Sequence, residues 1–86
     1  MRVKTVYAPC LKSSFSDTNV PFVACVAETH DLAKKYIDNE VWGYTHDAWD
    51  TWDVISDHMD NFVSLKRRKD GEVITWYIQT MSLLMK

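Results

Sequence analysis

The feature that most constrains the fold lies in the last third of the chain, where Asp70-Gly71 separates two strand-forming runs. A glycine after an aspartate is typical of the tight turns that join antiparallel strands, because such turns need positive backbone φ angles. In the second run, apolar side chains recur at every second position from Ile74 to Ile78, which is the period of a β-strand. Residues 62–84 are therefore predicted to form a β-hairpin.

Two more strands are predicted before residue 28. Residues 2–8 alternate in polarity and are predicted to form a strand that Pro9 ends. Residues 20–27 are almost continuously apolar, which is typical of a strand in the middle of a sheet. Cys25 lies in this run and is expected to be a buried thiol. Cys25 and Cys10 are both expected to be reduced, because secreted domains of this size usually carry more cysteines.

Two helices are predicted between the strand pairs. The first has Thr29 as its N-cap and is broken by Gly43. The second is predicted to begin at Thr45, because five apolar residues would fall on one side of a helix: Ala48, Trp52, Ile55, Met59 and Phe62. The predicted fold is α+β in the order ββααββ, a four-stranded antiparallel sheet with two helices packed on one face. A length of 86 residues suits one compact domain, 1–86.

Charge is distributed unevenly along the chain, although the net charge is only −2. Residues 28–60 contain nine acidic residues and two lysines, a net charge of −7, and the remainder carries +5. Five aspartates would lie along the wet side of the second predicted helix: Asp47, Asp50, Asp53, Asp57 and Asp60. Like charges at this spacing destabilise a helix, which suggests that the row serves a partner.

The preferred functional hypothesis is a non-catalytic protein-binding surface. The five aspartates would supply the charge, and Trp49 at their border would supply an aromatic anchor of the type that dominates interface energetics. The expected partner is a protein with a basic, nucleic-acid-binding groove, which an acidic row attracts. A solvated helix face is the simplest alternative, since charged side chains usually lie in water.

A second hypothesis concerns the basic tip of the hairpin. It could contact nucleic acid directly, although this is less expected because turns commonly carry solvated bases, or it could pair with the acidic residues of its own chain or of a second copy in a homodimer. Its residues are Lys66, Arg67, Arg68 and Lys69.

Catalytic and metal sites find little support in the sequence. His46 and Asp50 are one helical turn apart in the predicted helix, but the three histidines lack the spacing of known metal motifs. No phosphate loop or nucleophile motif is present, so neither an enzyme nor a cofactor is expected. No apolar run approaches the roughly 20 residues of a membrane span, and a cytoplasmic location is expected.

The run FVACVAETHDLAKKYI, residues 22–37, resembles a strand-E-T-helix pattern of small bacteriophage-encoded accessory proteins, among them inhibitors of host RNA polymerase. The resemblance implies a phage or mobile-element protein that acts in the host cytoplasm. It implies that such a protein blocks a host machine, such as a polymerase or a defence nuclease, through an acidic surface that mimics DNA. It assigns no functional residue in this chain.

Overall fold

The structure is a computed structural model that describes residues 2–15, 21–58 and 62–85. Its elements in chain order are β1 (Arg2–Ser13), β2 (Phe22–Val23), α1 (His30–Thr45), β3 (Trp52–Asp57), β4 (Phe62–Arg67) and β5 (Val73–Met85). The strands form one antiparallel sheet in the order β2-β1-β5-β4-β3. The predicted ββααββ arrangement is wrong, because the described residues form five strands and one helix.

The C-terminal hairpin is confirmed. β4 and β5 pair on either side of the turn, and the backbone N–H of Gly71 donates to the carbonyl of Arg67 at 2.9 Å. Gly71 has a φ of 79°, in the left-handed region. A side chain at this φ is strained, which explains the glycine at this position.

β1 runs through Pro9 instead of ending there, and it pairs with β5 along its whole length. On its other side, the backbone of Tyr7 exchanges two hydrogen bonds with Ala27, at 2.9 and 2.8 Å. Since alternate residues of a strand bond to opposite neighbours, the nitrogen of Pro9 also points away from β5. Pro9 therefore removes no hydrogen bond from the β1–β5 ladder, and the strand continues.

The predicted central strand at residues 20–27 is wrong. Within the described residues 21–27, Phe22–Val23 is the one strand, and it lies at the edge of the sheet with both side chains exposed. Both cysteines are free as predicted, but Cys25 is exposed and Cys10 is the buried one. The centre of the sheet is taken by the long β1–β5 ladder, in which Cys10 lies.

α1 begins where the sequence predicts. The hydroxyl of Thr29 accepts the backbone N–H of Leu32 at 3.2 Å, which satisfies a free donor of the first turn. The helix then continues past Gly43 and ends at Thr45. Thr45 is not the N-cap of a second helix, since its hydroxyl donates back to the carbonyl of Val41 at 3.1 Å.

The second predicted helix is not formed by its described residues, 46–58, which form a loop followed by β3. Aspartate is a poor helix former and a row of like charges opposes a helix, whereas Val54 and Ile55 favour a strand. The register of β3 against β4 shifts between Val54 and Ser56, so that Ile55 is an extra, bulged residue. The bulge interrupts the two-residue period of apolar residues in this strand. The spacing of the apolar residues therefore resembles that of a helix.

The core lies between α1 and one face of the sheet. Tyr36 packs edge-on against Trp76, and Tyr44 packs edge-on against Trp52, with ring centroids 6.0 and 5.0 Å apart. Burial of large apolar side chains is the main source of stability in a domain of this size. The buried residues of this core are Ile37, Trp52, Val63, Leu65, Ile74 and Trp76.

The two ends of α1 contact different strands of the sheet. The ring of His30, at the start of α1, contacts the ring of Tyr7 on β1, whereas Tyr44 near the helix end contacts Trp52 on β3. Beyond Tyr7, residues 2–6 of β1 and residues 81–85 of β5 continue as a two-stranded ribbon. This ribbon lies beyond the start of the helix, and the longest dimension of the molecule is 50 Å.

Replacing Gly43 by alanine is predicted to stabilise the protein by about 0.5–1 kcal/mol, because alanine is the better helix former. A Cβ at Gly43 would meet nothing within 4 Å. Urea denaturation of Gly43→Ala and of the control Gly71→Ala measures both changes. The control is expected to lose stability, owing to its positive φ. A destabilised Gly43→Ala would contradict a helix that passes through residue 43.

Candidate functional site

The acidic segment and the basic turn meet within the chain. β3 pairs with β4, and the guanidinium of Arg68 donates two hydrogen bonds to the carboxylate of Asp53, at 2.7 and 2.9 Å. The bond from Arg68 lowers the pKa of Asp53 and raises the pKa of Arg68 itself. Of the alternatives predicted for the basic tip, pairing with an acidic residue of its own chain is the one that Arg68 adopts.

Arg67 is the centre of a second charged cluster. Its guanidinium donates to both oxygens of Asp70, at 3.0 and 2.6 Å, and its Cζ lies 5.1 Å from the centre of a Trp52 ring. Carboxylate oxygens of Asp50 and Glu72 lie 3.7 and 3.3 Å from the guanidinium nitrogens of Arg67. These contacts tie the loop before β3 to the hairpin turn. The hydrogen bonds from Arg67 lower the pKa of Asp70 to about 2.

The remaining predicted site residues are dispersed. Lys66 and Lys69 are exposed, and Asp57 lies exposed at the far end of β3. Asp47 lies in the loop after α1, where its carboxylate accepts the backbone N–H of Trp49 at 2.8 Å. Asp60 is outside the described residues. The predicted row of aspartates on a helix face is therefore not formed by the aspartates that the structure describes.

Two tryptophans are exposed where α1 ends. Trp49 is 93% exposed and Trp42 is 63% exposed, although tryptophan is usually well buried. The ring of Trp42 stacks on His46 with a centroid distance of 4.2 Å and an interplanar angle of 14°. We call Trp42, His46, Asp47 and Trp49 the tryptophan corner. The sequence pointed to Trp49 as an anchor, and the structure shows that its side chain is accessible.

An acidic groove borders this corner. It has a volume of about 240 Å³ and is lined by Glu40, Gly43, Tyr44 and Asp47. Burial and the charge of Glu40 raise the pKa of Tyr44 above its ordinary value, which already lies well above neutral pH. Two carboxylates and a neutral phenol in an open groove suit a lysine or arginine side chain better than an anion.

The described residues contain no group of three or more His, Cys, Asp or Glu side chains arranged to hold a metal ion. Among the helical residues of the same ranges, none form a segment long and apolar enough to cross a membrane. Comparisons with protein-family models, curated proteins and solved structures found no significant match. The similarity to phage inhibitors therefore stays a prediction.

The ribbon is a further surface that the sequence did not predict to be functional. Val3 and Leu84 are 65% and 64% exposed, and three more large apolar side chains are exposed beside them: Met81, Leu83 and Met85. The signal that could have indicated it is the composition of β5, which has no charged residue from Val73 to Met85.

The ion pair of Arg67 and Asp70 predicts a specific dependence of stability on pH. The pKa of Asp70 is about 2 in the folded protein and about 4 in an unfolded chain, so the unfolded state binds protons first. The free energy of unfolding should fall as the pH drops from about 4 to about 2. Urea denaturation at several pH values in this range measures how the free energy of unfolding changes with pH. This dependence on pH should be weaker in Asp70→Asn, and also in Arg67→Gln, than in the wild type. If the free energy of unfolding of Asp70→Asn depended on pH as strongly as that of the wild type, the ion pair of Arg67 and Asp70 would be contradicted.

Proposed function

We propose that this chain is a non-catalytic protein-binding module that contacts its partner through the tryptophan corner. The proposal rests on one observation, the exposure of Trp42 and Trp49 beside an acidic groove. Tryptophan is among the residues that contribute most to binding energy when a partner covers it. Two exposed indoles within eight residues provide apolar area that the monomer leaves in water.

The chemistry of the corner favours a partner with a basic surface. Glu40 and Asp47 give the groove negative charge, and the indole faces of Trp42 and Trp49 attract cations as well as apolar groups. A lysine or arginine of the partner would enter the groove while neighbouring apolar side chains cover the indoles. Charge complementarity of this kind also accelerates association at low salt.

Direct nucleic-acid binding is supported less well. The carboxylates of the groove repel phosphate, and Arg67 and Arg68 already hold carboxylates of their own chain. Only Lys66 and Lys69 of the predicted basic tip are exposed without an ion pair to a described carboxylate. The chain should not be retained on DNA at low salt.

A host protein with a basic nucleic-acid channel, such as a polymerase or a defence nuclease, has the surface chemistry that this proposal requires. The phage origin, the inhibitory role and the host cytoplasm as location rest on the resemblance of residues 22–37 alone. The acidic contribution comes from the groove beside the corner and not from a helical row of aspartates.

The proposal predicts that Trp49→Ala loses partner binding without losing stability. The free energy of unfolding should change by no more than about 0.5 kcal/mol, because the side chain is almost fully exposed. Affinity for the purified partner should fall about thirtyfold, corresponding to about 2 kcal/mol for a central anchor. Affinity capture from host lysate with wild-type bait identifies the partner, and calorimetric titration measures the loss.

Leu32→Ala is the matched control for this experiment. Leu32 is an exposed apolar residue of the same helix, but it lies in its first turn, away from the corner. It should bind like the wild type. Equal affinity of Trp49→Ala and wild type for the captured protein would refute the corner as the contact surface.

A further inference from the structure

The free edge of β5 in the ribbon has backbone groups available for a further strand. Because Tyr7 bonds Ala27 on the β2 side, its even-numbered neighbours in β1 bond β5. Their partners in β5 are odd-numbered, as in the pair of Val6 with Met81. The even-numbered residues of β5 therefore direct their N–H and carbonyl groups away from β1; in the ribbon and just before it these are Thr80, Ser82 and Leu84.

No described strand covers this edge beyond Tyr77, where the pairing of β4 with β5 stops. Natural proteins usually protect such an edge with lysines, other charges or prolines. β5 has none of these from Val73 to Met85. The opposite edge of the ribbon carries Arg2 and Lys4, and Lys4 pairs with Glu28 at 3.0 Å. Of the two edges of the described ribbon, the β5 edge is therefore the one that lacks charged side chains.

The side chains beside this edge are apolar on both faces of the ribbon. The register with β1 places Val3 opposite Leu84 on the face that bears α1, and Val6 opposite Met81 on the other face, which also bears Leu83. All but Val6 are exposed. An added strand would satisfy the free backbone groups and cover part of this apolar surface at the same time.

We propose that the added strand is β5 of a second copy, paired antiparallel about a twofold axis at Ser82. This register places Met81 opposite Leu83 on one face and Thr80 opposite Leu84 on the other, and it keeps each face of the two sheets continuous. A second copy fits because both strands lack charge, so no like charges meet across the axis. A strongly charged partner would gain no ion pair on this edge.

Proline substitutions on the two edges of the ribbon test the proposal. Ser82→Pro removes an N–H that points toward the proposed second copy, and leaves the β1–β5 ladder intact. Thr5→Pro is the matched control, since Thr5 lies directly opposite Ser82 and its N–H points to the other edge. Sedimentation equilibrium should show dimers for wild type and Thr5→Pro, and monomers for Ser82→Pro, with equal circular dichroism spectra.

A charge swap at the axis gives a second test that does not depend on proline. Ser82→Lys alone and Ser82→Glu alone should be monomeric, because each would place like charges directly opposite one another. An equimolar mixture of the two variants should form a heterodimer. This rescue decides the question if Ser82→Pro fails to fold.

Three results would overturn the proposal: a monomeric wild type at the highest soluble concentration, a Ser82→Pro variant as dimeric as wild type, or a mixture of the two charged variants that stays monomeric. Trp49→Ala should dimerise normally, because the tryptophan corner lies at the other end of α1. Failure of the dimer and failure of the proposed partner site are thus separate outcomes.

Discussion

The antiparallel pairing of β3 with β4 is the constraint on which the surface of this protein depends. It turns an acidic segment into an edge strand and brings Asp53 to Arg68, while the loop before β3 brings Asp50 to Arg67. The strong charge segregation of the sequence is thereby reduced within the fold. Exposed ion pairs contribute little to stability, so their main consequence is to limit which charges remain for a partner.

The sequence predicted the parts of the fold that are governed by local rules. The turn at Gly71 and the N-cap at Thr29 follow from backbone geometry and from the free donors of a helix start, and both are confirmed. Three of the wrong predictions failed because they depend on neighbours in space. Pro9 is tolerated because its nitrogen faces away from β5, Gly43 lies inside a helix held by its packing, and the bulge at Ile55 hides a strand period.

Part of the candidate site could also be predicted from the sequence. Trp49 was identified as an anchor from its residue type, but the pairing of Asp53 with Arg68 could not be inferred without the strand register. The structure places the exposed aromatic surface at the end of α1 and the uncharged ribbon beyond its start. This separation would let one copy contact a partner at the corner while a second copy occupies the ribbon, without competition between the two surfaces.

The most direct test of this account is the proton NMR spectrum of residues 46–58. Arg68 donates its backbone N–H to the carbonyl of Thr51, so the next pair, Trp52 with Arg67, lacks hydrogen bonds between its members and has its Cα atoms close together. We expect a strong Hα–Hα nuclear Overhauser effect between Trp52 and Arg67. A series of sequential amide–amide and i to i+3 contacts through these residues would instead show a helix and contradict the account.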